Sequence, residues 1–308
     1  MKFTIYQESR VGKRRNNQDR LAHCYSRDAL LMVVADGMGG HLHGEVAAQI
    51  AVQYMTEVFQ REAKPRLADP FMSLAQGLAK AHQAVQDYSI GRRLPEAESP
   101  RTTCVACVVQ DSVAYWAHAG DSRLYVLRGG RVQAKTRDHS TVQAMIDEGK
   151  LTPDQAVNHP LRNRVYSCLG GQQAPHIDYS RKTTLQEGDA VILCSDGVWA
   201  PLDDLLLAKS LQEVDVMHAV PPLLEEAERL AGPNCDNLSV VAMRWGENYG
   251  DTDLGGPSTV ETETMAFDSH STQMPEFGQR RAPLPELTDE DIESAIDEIR
   301  AAIRKNSN

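Results

Sequence analysis

Four aspartates in this 308-residue chain stand where an apolar run meets a turn. Asp36 closes ALLMVVAD ahead of GMGGH, and Asp196 follows AVILCS ahead of Gly197. Asp236 stands just before NLSVVAMRW, and Asp121 lies between VAYWAHAG and SRLYVL. One Asp-Gly pair after a strand is an ordinary turn. Four acids at strand ends imply more. If the strands share a sheet or pack face to face, the carboxylates converge, repel one another, and take up protons unless cations neutralise them. Clustered carboxylate oxygens suit hard divalent ions, Mg²⁺ or Mn²⁺, rather than zinc. The stretch VVADGMGGHLHGE is then expected to end a buried strand on Asp36, with glycines leaving room for something charged to approach the backbone.

Other chemistries are poorly supported. No D-x-D-x-D-G loop occurs, which excludes an EF-hand. DGMGGH lacks the G-x-G-x-x-G spacing of a dinucleotide site. Cys104 and Cys107 form a CxxC, but TTCVACVVQ reads as a buried strand in which positions three apart face opposite ways, and no second CxxC completes a zinc site. They are expected to be small core residues. The net charge of −11 argues against nucleic acid as a partner. Residues 247–308 hold fourteen Asp and Glu against five Lys and Arg, so −9 of that charge belongs to the tail.

The elements that must position these acids alternate along residues 1–246. Strands read as KFTIYQES, ALLMVVAD, TTCVACVVQ, VAYWAHAG, RLYVLRG, AVILCSD and LSVVAMRW. Gly129-Gly130 in LRGGRV is a two-residue hairpin signal, which implies antiparallel pairing. Apolar residues at three- and four-residue spacing predict helices over Gly44–Arg61 and Pro70–Tyr88. The pattern predicts an α+β fold with sheets packed together and helices outside. No apolar run approaches the ~18 residues of a membrane span, and the start lacks a secretory h-region, so a cytoplasmic protein is expected.

From Gly246 the texture changes. Residues 247–286 are rich in Gly, Pro, Ser, Thr and acid and predict a disordered acidic linker. Over 287–305, TDEDIESAIDEIRAAIRK sets Ile292, Ile296, Ile299 and Ile303 on one stripe, with acids leading and bases closing, and predicts an amphipathic C-terminal helix. Thr262 and Thr264 in VETETMAFD lie in an acidic context.

The ordered series SRVGKRRNNQD, VVADGMGGH, TTCVACVV, AGDSRLYVLRGG, DHS, HPLRN, GDAVILCSDG and CDNLSVVAM resembles the bacterial metal-dependent protein phosphatases, the PPM-type or type 2C serine/threonine phosphatases, from about residue 5 to 245. The resemblance implies a four-layer αββα sandwich of two antiparallel β-sheets flanked by helices, with a two-metal site in the cleft at one edge. It implies that Asp36 bridges two Mn²⁺ or Mg²⁺ ions and that Gly37 lends its backbone carbonyl. Asp196 and Asp236 correspond to ligands of the other metal, and Asp121 with Asp196 to a more weakly held third ion. Asp19 corresponds to the acid that orients metal-bound water. Arg14 stands where the family's phosphate-binding arginine falls, a fork suited to bidentate donation. His41 stands where a histidine protonates the leaving oxygen, whereas His43 is expected to be a surface residue at a helix start. Gln18 replaces the Glu of many relatives and Leu42 a small residue. Residues 138–171 correspond to a variable flap that shapes substrate choice.

The resemblance thus implies a phosphatase of phosphoserine and phosphothreonine in proteins, working by direct attack of a metal-bridging water. Two rival readings stand beside it: a phosphatase-like binding module that has lost catalysis, and a phosphatase of small phosphate esters. A Hanks-type serine/threonine kinase and its targets are the expected partners, with a further partner for the tail. A monomer with no membrane or nucleic-acid contact is expected.

Overall fold

In a computed structural model of the chain, residues 1–38, 43–212, 214–246 and 261–264 are described. The chain divides into two units, Met1–Thr272 and Gln273–Asn308, and all described residues belong to the first. His41, Leu42 and the predicted helix at 287–305 lie outside the described residues.

Two antiparallel sheets carry the fold. One has five strands, β1 (Phe3–Arg10), β7 (Arg123–Arg128), β8 (Arg131–Lys135), β11 (Ala190–Cys194) and β12 (Leu238–Trp245), in the order β1-β12-β11-β7-β8. The other contains β2 (Asp19–Tyr25), β3 (Ala29–Met38), β5 (Cys104–Gln110), β6 (Val113–Ala119), β10 (Thr183–Thr184) and β13 (Glu261–Thr264), in the order β10-β6-β5-β3-β2-β13. Two short strands, β4 (Arg101–Thr102) and β9 (Asp178–Tyr179), pair with β3 and β6. The Gly129-Gly130 turn joins β7 to β8 as expected, with both glycines at positive φ.

Helices α1 (Gly44–Glu62) and α2 (Pro70–Gly91) cover the outer face of the second sheet. Asp69 caps α2 by accepting from the N–H groups of Phe71 and Met72, with Pro70 in the first turn. Three more follow Asp196, namely α5 (Asp196–Trp199), α6 (Asp204–Ser210) and α7 (Val216–Ala231), and they cover the first sheet. The flap carries α3 (Thr141–Asp147) and α4 (Pro153–Val157).

Three apolar layers separate these four. Leu31, Val33, Ala51, Phe59, Leu74 and Leu78 fill the space between α1, α2 and their sheet. Leu30, Met32, Val105, Val126, Leu193 and Val241 lie between the sheets. Ile192, Leu207, Val220, Leu224 and Val240 lie beneath α5–α7. Alternate residues of β3 therefore serve two cores, which explains its uninterrupted apolar run. Cys104 sits in the helix-side layer and Cys107 in the inter-sheet layer, both fully buried, with burial pushing both thiols up, Cys104 to about 12. They are the inert core residues the strand pattern implies.

Three differences from the sequence reading have local causes. Strand β2 is absent from that reading because DRLAHCY mixes Asp, Arg and His with apolar residues, yet it is buried along nearly its whole length. Helix α7 escapes it because Pro221 and Pro222 lie in the helix interior, where proline ordinarily breaks the ladder. Within the segment expected to be disordered, residues 261–264 form β13 and pair with Ala22–Tyr25 along the open edge of β2. An edge strand offers a row of unpaired backbone groups to any extended segment, and the alternating threonines of this one favour a strand.

Candidate active site

The strand ends bring the acids together. Asp19 opens β2 and is the register partner of Asp36 on β3. Asp196 opens α5 two residues after β11 ends, and Asp236 precedes β12, the strand paired to β11. Asp121 lies in the turn from β6 to β7. The strand does not finish on Asp36: β3 runs on to Met38, because Gly37 and Met38 pair with Thr102 and Arg101 of β4.

Gly37 has a packing cause of its own. A β-carbon there would lie 2.3 Å from the carbonyl oxygen of Gly44 and 2.6 Å from that of Gln18. Its N–H donates to the same Gln18 oxygen at 3.2 Å. Only glycine lets β3, the approach to β2 and the start of α1 meet so closely. Gly197 is under a similar constraint, with a β-carbon falling 2.1 Å from the Asn237 carbonyl oxygen.

The electrostatics follow from crowding. Burial, then repulsion from Asp19, Asp196, Asp121 and Asp236, raises the Asp36 carboxyl well above its ordinary range. Burial, with Asp196 and Asp138 adding to it, pushes Asp121 up to about 8. Asp19 rises to about 7, chiefly by burial, although the Ser195 and Ser239 hydroxyls hold it down. Asp196 rises to about 6 by burial and by Asp236. One Asp19 oxygen accepts from Ser195 Oγ at 2.7 Å, and the other is buried with no partner among the described residues. Acids that protonate for want of positive charge, supplied entirely by oxygen donors, match a hard divalent cation. The residues present therefore fit the metals that the resemblance implies.

Arg14 brings positive charge to the site. Its Nε and a terminal nitrogen donate to the two Asp236 oxygens at 2.7 and 2.6 Å, and this pairing raises the guanidinium further. The residue assigned to phosphate is thus seated on a residue assigned to metal, with its side chain 58% exposed. Gln18 Nε2 donates to Glu45 at 3.3 Å. His43 stands at the start of α1 in the left-handed region, with its ring against Tyr88. His41 lies outside the described residues.

Sequence reasoning missed the neutral side chains that hold the acids. Thr103 Oγ1 accepts from the Asp36 N–H at 3.0 Å and bonds Ser122 Oγ at 2.7 Å, so one hydroxyl ties Asp36 to the turn carrying Asp121. Ser195 joins Asp19 to the strand beside it, donating to Asp19 and accepting from the Ser239 N–H at 3.0 Å. The Trp199 indole N–H donates to the Asp121 carbonyl at 2.9 Å. Nothing in the types or spacing of these residues marks them.

A second polar cluster, also unforeseen, unites His118, His139 and Asp178 with donor atoms within 4.8 Å of one another. His118 Nε2 donates to the Arg137 carbonyl at 2.8 Å, and burial holds His139 down to about 4. The two rings stack 4.5 Å apart with planes 23° from parallel. In-plane lone pairs of stacked rings do not converge on one ion. The Gly120 N–H, which donates to His139 Nδ1 at 3.2 Å, leaves the ring proton on Nε2, beside Asp178. These neutral histidines brace the flap base.

Among the described residues no helix is long and apolar enough to cross a membrane. The protein phosphatase 2C family matches residues 7–230. The serine/threonine protein phosphatase PstP of Mycobacterium tuberculosis is 31% identical over 274 residues, covering 87% of this chain and 49% of that protein. The chain thus spans about half the length of this relative. The protein phosphatase PhpP of Streptococcus pneumoniae is 29% identical over 245 residues, covering 76% of this chain and 94% of its own. The crystal structure of the catalytic domain of PstP in complex with two manganese ions superposes with a TM-score of 0.66 at 30% identity, covering 79% of this chain and 97% of its own. On the extent of the family match, the chain belongs to the protein phosphatase 2C family.

Proposed function

We propose that the protein is a divalent-metal-dependent phosphatase that hydrolyses phosphoserine and phosphothreonine in proteins. The observation that carries this is the meeting of strand-end acids in which burial and mutual repulsion drive Asp19, Asp36, Asp121 and Asp196 toward protonation. The manganese pair in the PstP catalytic domain supports Mn²⁺ as the ion, with Mg²⁺ as its alternative. Asp36, the Gly37 carbonyl, Asp196 and Asp236 would hold two ions, and Asp121 with Asp196 a weaker third. When bound, the ions would acidify water and neutralise charge on the phosphoryl oxygens.

The chain's own groups supply the rest. Asp19, buried, tied to Ser195 through one oxygen and left with the other free of any partner among the described residues, orients a water beside it. Arg14 exchanges its carboxylate for the phosphoryl group, since its fork donates equally well to either planar oxygen pair. His41 is assigned to protonate the departing alkoxide. The flap over 138–171 shapes substrate choice. The organisation is a catalytic domain over 1–246, an acidic linker over 247–286 and an amphipathic helix over 287–305. A Hanks-type kinase and its targets are the proposed partners, with the tail as docking arm.

The test is phosphate release from phosphopeptides beside a small aryl phosphate, with Mn²⁺, with Mg²⁺ and with chelator. Turnover should require the ion, favour the phosphopeptide, and disappear in Asp36→Ala. Full activity in excess chelator, or wild-type turnover in that variant, would overturn the assignment.

A further inference from the structure

We propose that Arg123 is the positioning residue that sets Asp121 against Asp196 and ties both to the flap. The inference rests on the metal assignment above. Strand β7 begins at Arg123, two residues after Asp121. Its guanidinium donates to both oxygens of Asp138 at 2.8 Å and to the Tyr125 hydroxyl at 3.0 Å. Its flat face lies 3.4 Å from the centroid of the Trp199 ring. That indole closes α5, the four-residue helix opened by Asp196, and donates its N–H to the Asp121 carbonyl. One planar cation therefore touches the first flap residue and the far end of the helix carrying Asp196. Through Trp199 it also reaches the backbone of Asp121.

The contacts around the turn show what this accomplishes. Gly120 is clasped by His139, whose N–H donates to its carbonyl at 3.0 Å and whose Nδ1 accepts from its N–H. Ser122 is held by Thr103. The chain on either side of Asp121 is fixed by these three bonds, and Trp199 supplies the link at Asp121 itself. Trp199 is in turn pressed in place by Arg123. The Arg123 and Asp138 side chains are only 16% and 7% exposed, so water does not loosen the fork. Lysine cannot substitute: an ammonium can pair with Asp138, but it offers neither a second parallel donor nor a face for the indole.

Arg123→Lys in the full chain, titrated with Mn²⁺ by calorimetry and assayed across Mn²⁺ concentration, tests this. The weaker ion should lose about tenfold in affinity, the range typical of residues that orient a ligand from behind. The tighter pair should stay within about twofold, and kcat should recover in excess Mn²⁺. Trp199→Phe, which keeps the stack and removes the indole N–H, should show the same selective loss. Unchanged weak-site affinity in both variants overturns the inference. So does equal loss at all ions with a collapsed melting temperature, because Arg123 would then serve the fold alone. A wild-type protein that binds no Mn²⁺ overturns the metal assignment instead.

Discussion

Gly37→Ala adds a single carbon where three segments of the active site meet. That carbon would sit 2.3 Å from the Gly44 oxygen, 2.4 Å from the Gly44 carbonyl carbon and 2.6 Å from the Gln18 oxygen. All three are backbone atoms, so no side-chain rotation relieves the collision. Reaching ordinary contact requires a displacement of roughly 1 Å, the scale at which overpacking costs about 1–3 kcal/mol. For a domain of this size that lowers Tm by about 2–12 °C. Either α1 moves at Gly44 or the chain moves at Gln18, next to Asp19. Asp36, bonded to Thr103 on the other side, is displaced relative to Asp196. A misplacement of about 1 Å at reacting groups costs on the order of 100-fold in rate. Activity should therefore fall much further than stability. Gly171→Ala is the control, since a β-carbon there meets nothing within 4 Å. Scanning fluorimetry and Mn²⁺-dependent turnover measure the two effects. Wild-type Tm and turnover in Gly37→Ala would refute the claim that close backbone approach dictates this glycine.

Three further outcomes are expected. Asp121, Asp19 and Asp196 are raised from 3.8 to about 8, 7 and 6, so the ion-free fold keeps protons that the unfolded chain has released, and its stability falls as pH rises from about 4 to 8. Mn²⁺ at about 100 times its Kd at pH 8 should restore about 2.7 kcal/mol there, and melting curves at that same concentration should show a smaller gain at pH 6; an equal or larger gain at pH 6 contradicts the electrostatic account. Arg14→Ala should raise KM and lower kcat/KM with metal content largely intact, because Arg14 now shields Asp236 and later serves phosphate; lost metal binding at unchanged KM contradicts that role. Truncation after Gly246 should leave aryl phosphate turnover unchanged and speed amide exchange over Ala22–Tyr25, where β13 pairs; unaltered exchange means the pairing does not persist in solution.

Much of the fold was legible because its signals are local. The apolar run Ala29–Ala35 is strand-sized and faces two cores, and α1 and α2 each turn an apolar face to the second sheet. The Gly129-Gly130 turn sets the pairing of β7 and β8. What stayed hidden depends on partners distant in sequence. DRLAHCY looks polar, yet Gln7 Oε1 accepts from the His23 ring and the Arg20 guanidinium donates to the Asn17 and Asp19 carbonyls, so bonds to distant and neighbouring groups let the strand bury these side chains. Helix α7 carries two interior prolines and holds its place through apolar packing by Val216, Val220, Leu223, Leu224 and Ala227. Propensity argued against both elements, and burial outweighed it.

The site divides in the same way, and the reason is chemical. Residues that face a hard cation must be acids or bare carbonyls, so the proposed ligands Asp36, Gly37, Asp121, Asp196 and Asp236 are conspicuous by type and by their place at strand ends. Residues that only hold an acid in position can be any donor of the right reach. Thr103, Ser195 and Trp199 fill that role with a hydroxyl, a hydroxyl and an indole. Each lies far along the chain from the acid it holds, Thr103 67 positions from Asp36, Trp199 78 from Asp121 and Ser195 176 from Asp19. The register of β2 on β3 sets Asp19 opposite Asp36, and the pairing of β11 with β12 sets the strand ends behind Asp196 and Asp236 side by side. Convergence of the acids is thus a property of two strand pairs, while their spacing is a property of three neutral side chains. A variant that keeps every carboxylate and loses one of these donors therefore alters metal affinity without altering the ligand set.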